Sequence, residues 1–167
     1  WRNIGFARQI RPVFLSIMGI SWFWRYGALF LAQFPAYAKG VLGGGEGTVT
    51  LLLATFTVGI GLGSLLCEKF SSGQVEIGLV PFGSIGLTLF GLDIAFASPT
   101  MLPTGVPLSI GAVLAQPGIV RVLLALLMLG VFGGFFIVPL YAMMQNRSAP
   151  GHRARIIAAN NILNALF

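Results

Sequence analysis

GIVRVLLALLMLGVFGGFFIVPLYAMM, residues 118–144, carries a single charge, Arg121, near its beginning, and is apolar from there on. A helix rises about 1.5 Å per residue and the hydrocarbon core of a bilayer is about 30 Å thick, so about 20 continuous apolar residues make one crossing. A barrel strand would alternate in and out over about 10 residues, and a helix of a soluble bundle would carry a polar outer face. The stretch does neither, so it reads as a membrane-spanning helix. Three further runs upstream have the same character: VFLSIMGISWFWRYGALFLAQFPA at 13–36, TVTLLLATFTVGIGLGSLL at 48–66 and IGLVPFGSIGLTLFGLDIAFA at 77–97. A last apolar helix begins near Ile157 and is cut by the end of the chain. The expected fold is an all-α polytopic membrane bundle, with four full transmembrane helices and the start of a fifth. Residues 1–12 form a cytoplasmic flank, and 13–167 form one transmembrane domain with spans at 13–36, 48–66, 77–97, 118–144 and 157–167.

Composition agrees with lipid as the solvent. Hydrophobic residues make up 56% of the chain and charged ones 8%, with a mean hydropathy of +0.91, whereas soluble domains carry about 25% charged residues. The missing initiator Met and the apolar last residue, Phe167, lead to the expectation that the chain is a fragment. No signal-peptide pattern is present. Cys67 is the only cysteine, which excludes an internal disulfide framework and a multi-cysteine metal site. His152 lacks a second histidine or cysteine beside it, so no metal is expected, and no motif calls for a cofactor.

A net charge of +6 does not point to nucleic acid here, because the basic residues lie between apolar runs and not on a polar face among aromatics. They act as topological marks. Short loops rich in Lys and Arg stay in the cytoplasm. With the N-terminus inside, Arg2, Arg8, Arg11, Lys69, Arg147, Arg153 and Arg155 are cytoplasmic, and Lys39 and Arg121 are outside. The expected topology is therefore 37–47 outside, 67–76 inside, 98–117 outside and 145–156 inside. The 98–117 connector, uncharged and holding Pro99, Pro103, Pro107 and Pro117, reads as an outside loop with an interfacial turn.

Thr55, Gly59 and Gly63 recur every fourth residue in the second span, and Gly130 and Gly134 repeat that spacing in the fourth. Apolar side chains gain little by leaving lipid for each other, so close backbone approach through small residues is a main route to helix packing. These glycines are candidates for packing or for sliding between states. Pro81 and Pro139 are expected to kink their spans. GGGEG at 43–47 lacks the Gly-Lys-Ser/Thr of a phosphate loop and reads as a flexible turn, with Glu46 opening the next helix at its positive dipole end.

Arg25 is the main candidate for substrate contact. It lies about halfway along a span, where a charge costs at least about 2.5–3.5 kcal/mol on insertion scales, so it must face protein or water. Its planar fork of donors suits phosphate or carboxylate, although a structural ion pair or snorkelling would also satisfy it. Ser21 one turn before and Gln33 two turns after suggest a polar stripe. Asn160 and Asn164, one turn apart in the last helix with Asn161 beside them, can bond another helix or a polar headgroup. Asp93, near the outer end of the third span, reads as an interfacial residue. No Ser-His-Asp set, paired carboxylates or nucleotide loop is present, so no catalytic residue is expected.

GLGSLLCEKFSSGQVEIGLVPFG at 61–83, GVFGGFFIVPLYAMMQ at 130–145 and RARIIAANNILNALF at 153–167 resemble the major facilitator superfamily, and more narrowly its bacterial lysophospholipid transporter branch, including forms fused to an acyltransferase. The chain has Glu68-Lys69 and Gly73-Gln74 where the superfamily has Asp-Arg and paired basic residues. The resemblance implies helices seven to ten and the start of eleven of a twelve-helix carrier, with Glu68 and Lys69 in a cytoplasmic gate. It also implies movement of lysophospholipid across the bacterial inner membrane. Expected partners are membrane lipid, a lysophospholipid or amphipathic small molecule, the remaining half of the transporter and a possible fused acyltransferase. The acyltransferase HxxxxD motif is absent, since Ile157 stands five residues after His152. An exporter of drugs or other small solutes on the same scaffold, or a non-transporting anchor for an acyltransferase, are the other readings.

Overall fold

The computed structural model describes residues 2–71, 76–98 and 106–166. A short helix α1, Arg2–Gln9, leads into α2, Arg11–Gly40. Then follow α3, Glu46–Ser71, α4, Leu79–Ala97, the one-turn α5, Ile110–Leu114, and α6, Ile119–Asn146. A 3-10 turn at Pro150–His152 leads into α7, Arg153–Leu166. Four of these helices, α2, α3, α4 and α6, are long and apolar enough to cross a membrane.

The connections explain the alternating direction. Pro12 stands in the first turn of α2, where its missing N–H has no intrahelical role. Beyond α2, Gly43 takes a φ of +63°, open to glycine and strained for most residues, and its carbonyl accepts the Leu108 N–H at 2.8 Å. That bond ties the α2–α3 turn to the α4–α6 connector. Ser109 caps α5 by accepting the Ala112 N–H at 3.3 Å. Lys39, Glu46, Asp93 and Arg121 consequently share one end of the bundle, and Arg11, Lys69, Glu76, Arg147 and Arg153 share the other.

The central helix is α6, which touches α2, α3 and α4. In its most apolar stretch 67% of the α6 residues are buried, against 17% in that of α4, so α6 is shielded by the other helices while most α4 residues are exposed or half-buried. Against α3 the contact is backbone on backbone. A Cβ on Gly134 would stand 2.6 Å from the carbonyl carbon of Gly63, and one on Gly130 would stand 2.9 Å from the Gly59 Cα. Against α4, Gly83 admits the backbone of Phe136, and Gly86 admits the ring of Phe132. Helix α7 lies along α1 and α2, burying Ile156 and Ala159.

Several expected boundaries move. Within the expected flank Arg2–Gln9 is helical, and Arg11 and Pro12 already belong to α2. Cys67, Glu68 and Lys69, expected in a connector, form the last full turn of α3, which runs to Ser71 because no glycine or proline interrupts it before Gly73. Residues 37–40 extend α2, and α7 starts at Arg153, four residues ahead of Ile157, where the 3-10 turn launches it. Pro81 is the third residue of α4 and so breaks no helical bond, whereas Pro139 lies inside α6. Gly73, Gln74, Pro99 and Pro103 lie outside the described residues.

Candidate functional site

Trp22, Tyr26 and Phe30 stand four residues apart on α2 and therefore share one face. The Trp22 and Tyr26 rings stack with centroids 5.4 Å apart, and Tyr26 and Phe30 follow at 4.9 Å. This aromatic row forms one wall of a groove of about 320 Å³, whose other wall is Leu87, Thr88, Gly91 and Leu92 of α4. The groove stays open because α2 and α4 meet only at points. The Tyr26 hydroxyl donates to the Leu87 carbonyl at 3.5 Å, and the Tyr37 and Ser98 hydroxyls bond at 2.7 Å. Phe30 continues into a smaller apolar space of about 80 Å³ between Phe34, Tyr37, Leu52 and Ile94, with Gln33 at its edge.

Arg25 lies midway along α2 on its exposed side. The described residues hold one ion pair, Arg121–Asp93, and Arg25 has no part in it. Gln33 is exposed as well, but eight residues further on and so about 80° round the helix. Ser21 is turned inward instead: its hydroxyl donates to Asn164 Oδ1 at 2.7 Å, and it is fully buried. The expected stripe of three is thus divided, with Ser21 fastening α7 to α2 and Arg25 and Gln33 on the open face.

On α7, Asn160 is buried, donates a long 3.5 Å bond to Asn161 Oδ1, and leaves its own Oδ1 without a partner. Asn164 is half-buried and Asn161 exposed. Glu68 and Lys69 are exposed on the last turn of α3, away from the groove, while Cys67 beside them is buried. Gly59, Gly63, Gly130 and Gly134 line the α3–α6 seam, so they touch helix backbone and not the groove.

Asp93 and Arg121 form a bidentate contact, with Arg121 Nε 3.2 and 3.4 Å from the two carboxylate oxygens. It joins α4 to α6 at the end of the bundle opposite Arg11. Nothing in the separate spans signals this pairing. The aromatic row is different: its four-residue spacing was visible in the sequence. Trp24 is a further tie that spacing alone does not reveal, its indole N–H donating to the Tyr141 hydroxyl at 3.0 Å.

The four long apolar helices and the lipid-like exterior define a polytopic all-α integral membrane protein. No family model matches the chain, and no solved structure does. Over 149 residues, 88% of the chain, it is 30% identical to the Lysophospholipid transporter LplT of two Klebsiella pneumoniae strains. Over 134 residues, 79% of the chain, it is 31% identical to the protein of the same name from Serratia proteamaculans. The chain spans about 30% of the length of these relatives, 30% for the Klebsiella proteins and 28% for the Serratia one. Over most of its own length the chain is therefore similar to one part of these lysophospholipid transporters.

Proposed function

We propose that the chain is part of a carrier that moves lysophospholipid across the bacterial inner membrane, with Arg25 as the contact for the headgroup phosphate. The observation that carries this reading is the position of Arg25: a cation at mid-span, exposed, on the helix that also supplies the aromatic wall of an apolar groove. An amphiphile with one phosphate in its head and one acyl chain asks for that combination. A charge-assisted bond to phosphate is about twice as strong as a neutral one and is stronger still away from water. In this reading Gln33 and the amides of Asn160 and Asn164 contact the polar headgroup or neighbouring helices.

The end carrying Arg11, Lys69, Arg147, Arg153 and Arg155 faces the cytoplasm, following the bias of basic residues. The remaining length of the transporter supplies the opposite wall of the pathway, and a fused acyltransferase, where present, would receive the lipid on the cytoplasmic side. Glu68 and Lys69 at the cytoplasmic end of α3 act in gating, and the glycine seam lets α3 and α6 shift against one another.

The test is uptake of labelled lysophosphatidylethanolamine by the full-length transporter in vesicles. Wild type should accumulate it, and Arg25→Ala should lower the rate about tenfold or more, the loss of one hydrogen bond to a charged group. Uptake unchanged by Arg25→Ala would remove the headgroup role, and no uptake by wild type would remove the substrate.

A further inference from the structure

A separate crevice lies at the Arg-rich end of the bundle. Pro12 and Leu15 of α2, Ile77 and Val80 at the start of α4, and Leu140 and Met143 near the end of α6 border a space of about 210 Å³. Leu15 is 57% and Ile77 48% exposed, so it opens outward. Its one hydroxyl, on Ser16, is already spent on the Pro12 carbonyl at 2.9 Å. The walls therefore offer apolar contact alone.

Two cations flank the lining residues along the chain. Arg11 immediately precedes Pro12, and Arg147 caps α6 one turn beyond Met143. Both are exposed, and neither belongs to the ion pair found among the described residues. Glu76, next to Ile77, is the acid placed in the same way, leaving two positive charges against one negative. An apolar slot at the end of the bundle, with a net positive charge carried next to its lining residues, is complementary to an anionic amphiphile. Basic pockets between helices at a membrane surface recognise anionic lipid headgroups in this way, and arginine grips phosphate with two parallel bonds.

We propose that this crevice holds a diacyl anionic phospholipid of the surrounding bilayer, one acyl chain in the slot and its phosphate at the rim by Arg11 and Arg147. This is a resident lipid and not the transported one, so it goes beyond the transport reading and stands or falls separately from it. The probe is phosphatidylglycerol, with phosphatidylcholine of the same chains as the neutral comparison. The full-length protein is purified from vesicles of each, and retained lipid is counted by native mass spectrometry.

Phosphatidylglycerol should be retained in preference to phosphatidylcholine. The double variant Arg11→Gln/Arg147→Gln should lose that preference, by about fivefold for each charge removed. Val80→Trp, which fills the slot and leaves both arginines, should reduce retention of both lipids. Arg153→Gln/Arg155→Gln, which removes the same charge at the same end from α7, should retain phosphatidylglycerol as wild type does. Equal retention of the two lipids by wild type overturns the proposal. So does an equal loss in the α7 variant, which would mean diffuse surface charge, or unchanged retention in Val80→Trp.

Discussion

Gly63 and Gly134 meet backbone to backbone: a Cβ added to Gly134 would stand 2.6 Å from the Gly63 carbonyl carbon and 2.7 Å from the Ser64 nitrogen. The obstacle is main chain on both sides, so no rotamer change relieves it, and Gly134→Ala must force α3 and α6 apart. Overpacking of this kind costs about 1–3 kcal/mol. Gly61→Ala on the same α3 meets nothing within 4 Å and should be neutral or slightly stabilising, since alanine is the better helix former by about 0.5–1 kcal/mol. Thermal unfolding of the full-length protein in detergent checks the pair, and equal effects would refute the seam.

Ser21 and Asn164 join α2 to α7 at 2.7 Å. Interhelical bonds of this type in membranes average about 0.6 and reach about 1.7 kcal/mol. A double-mutant cycle of Ser21→Ala and Asn164→Ala, read by unfolding in detergent, should return a coupling within that range. A coupling indistinguishable from zero would show that the bond does not hold α7.

Arg25→Lys keeps the charge and loses the planar fork. Lysophospholipid uptake should therefore fall less than in Arg25→Ala but remain below wild type, with Gln33→Ala the mildest of the three. Full activity in Arg25→Lys would reduce the role of Arg25 to that of a point charge.

Asp93 and Arg121 should show compensation. Asp93→Asn and Arg121→Gln each remove the tie between α4 and α6, and the swap Asp93→Arg/Arg121→Asp should recover part of what either loses. Because Arg121 is 63% exposed, the effect should shrink in high salt. A loss that is unaffected by salt would assign it to packing.

Orientation can be read with a membrane-impermeant maleimide applied to intact cells. Cys67 is only 2% exposed and should stay silent in the folded protein. Lys39→Cys should label from outside, and Arg147→Cys only after the cells are opened. The reverse result would invert the topology.

The spans were legible in the sequence because the requirement is one-dimensional: a bilayer of about 30 Å needs about 20 apolar residues in a row, and 118–144 meets it without reference to anything else. The spacing of Gly59, Gly63, Gly130 and Gly134 likewise marked small faces, though which helix met which was not written there. Helix ends were less legible. Cys67–Ser71 and Tyr37–Gly40 continue their helices past the apolar runs, since hydropathy marks where lipid ends and not where backbone hydrogen bonding ends.

The sequence by itself determined that this is a polytopic helical membrane protein, and placed Arg25 at the middle of a span. Only the tertiary structure decided that Ser21 turns inward to Asn164 while Arg25 stays on the open face, that Asp93 finds Arg121, and that Trp22, Tyr26 and Phe30 line a groove against α4. Partners on different helices depend on rotation and tilt. In lipid those are set by local fit of small residues and hydrogen bonds, with no hydrophobic gradient along the helix surface for a sequence pattern to record.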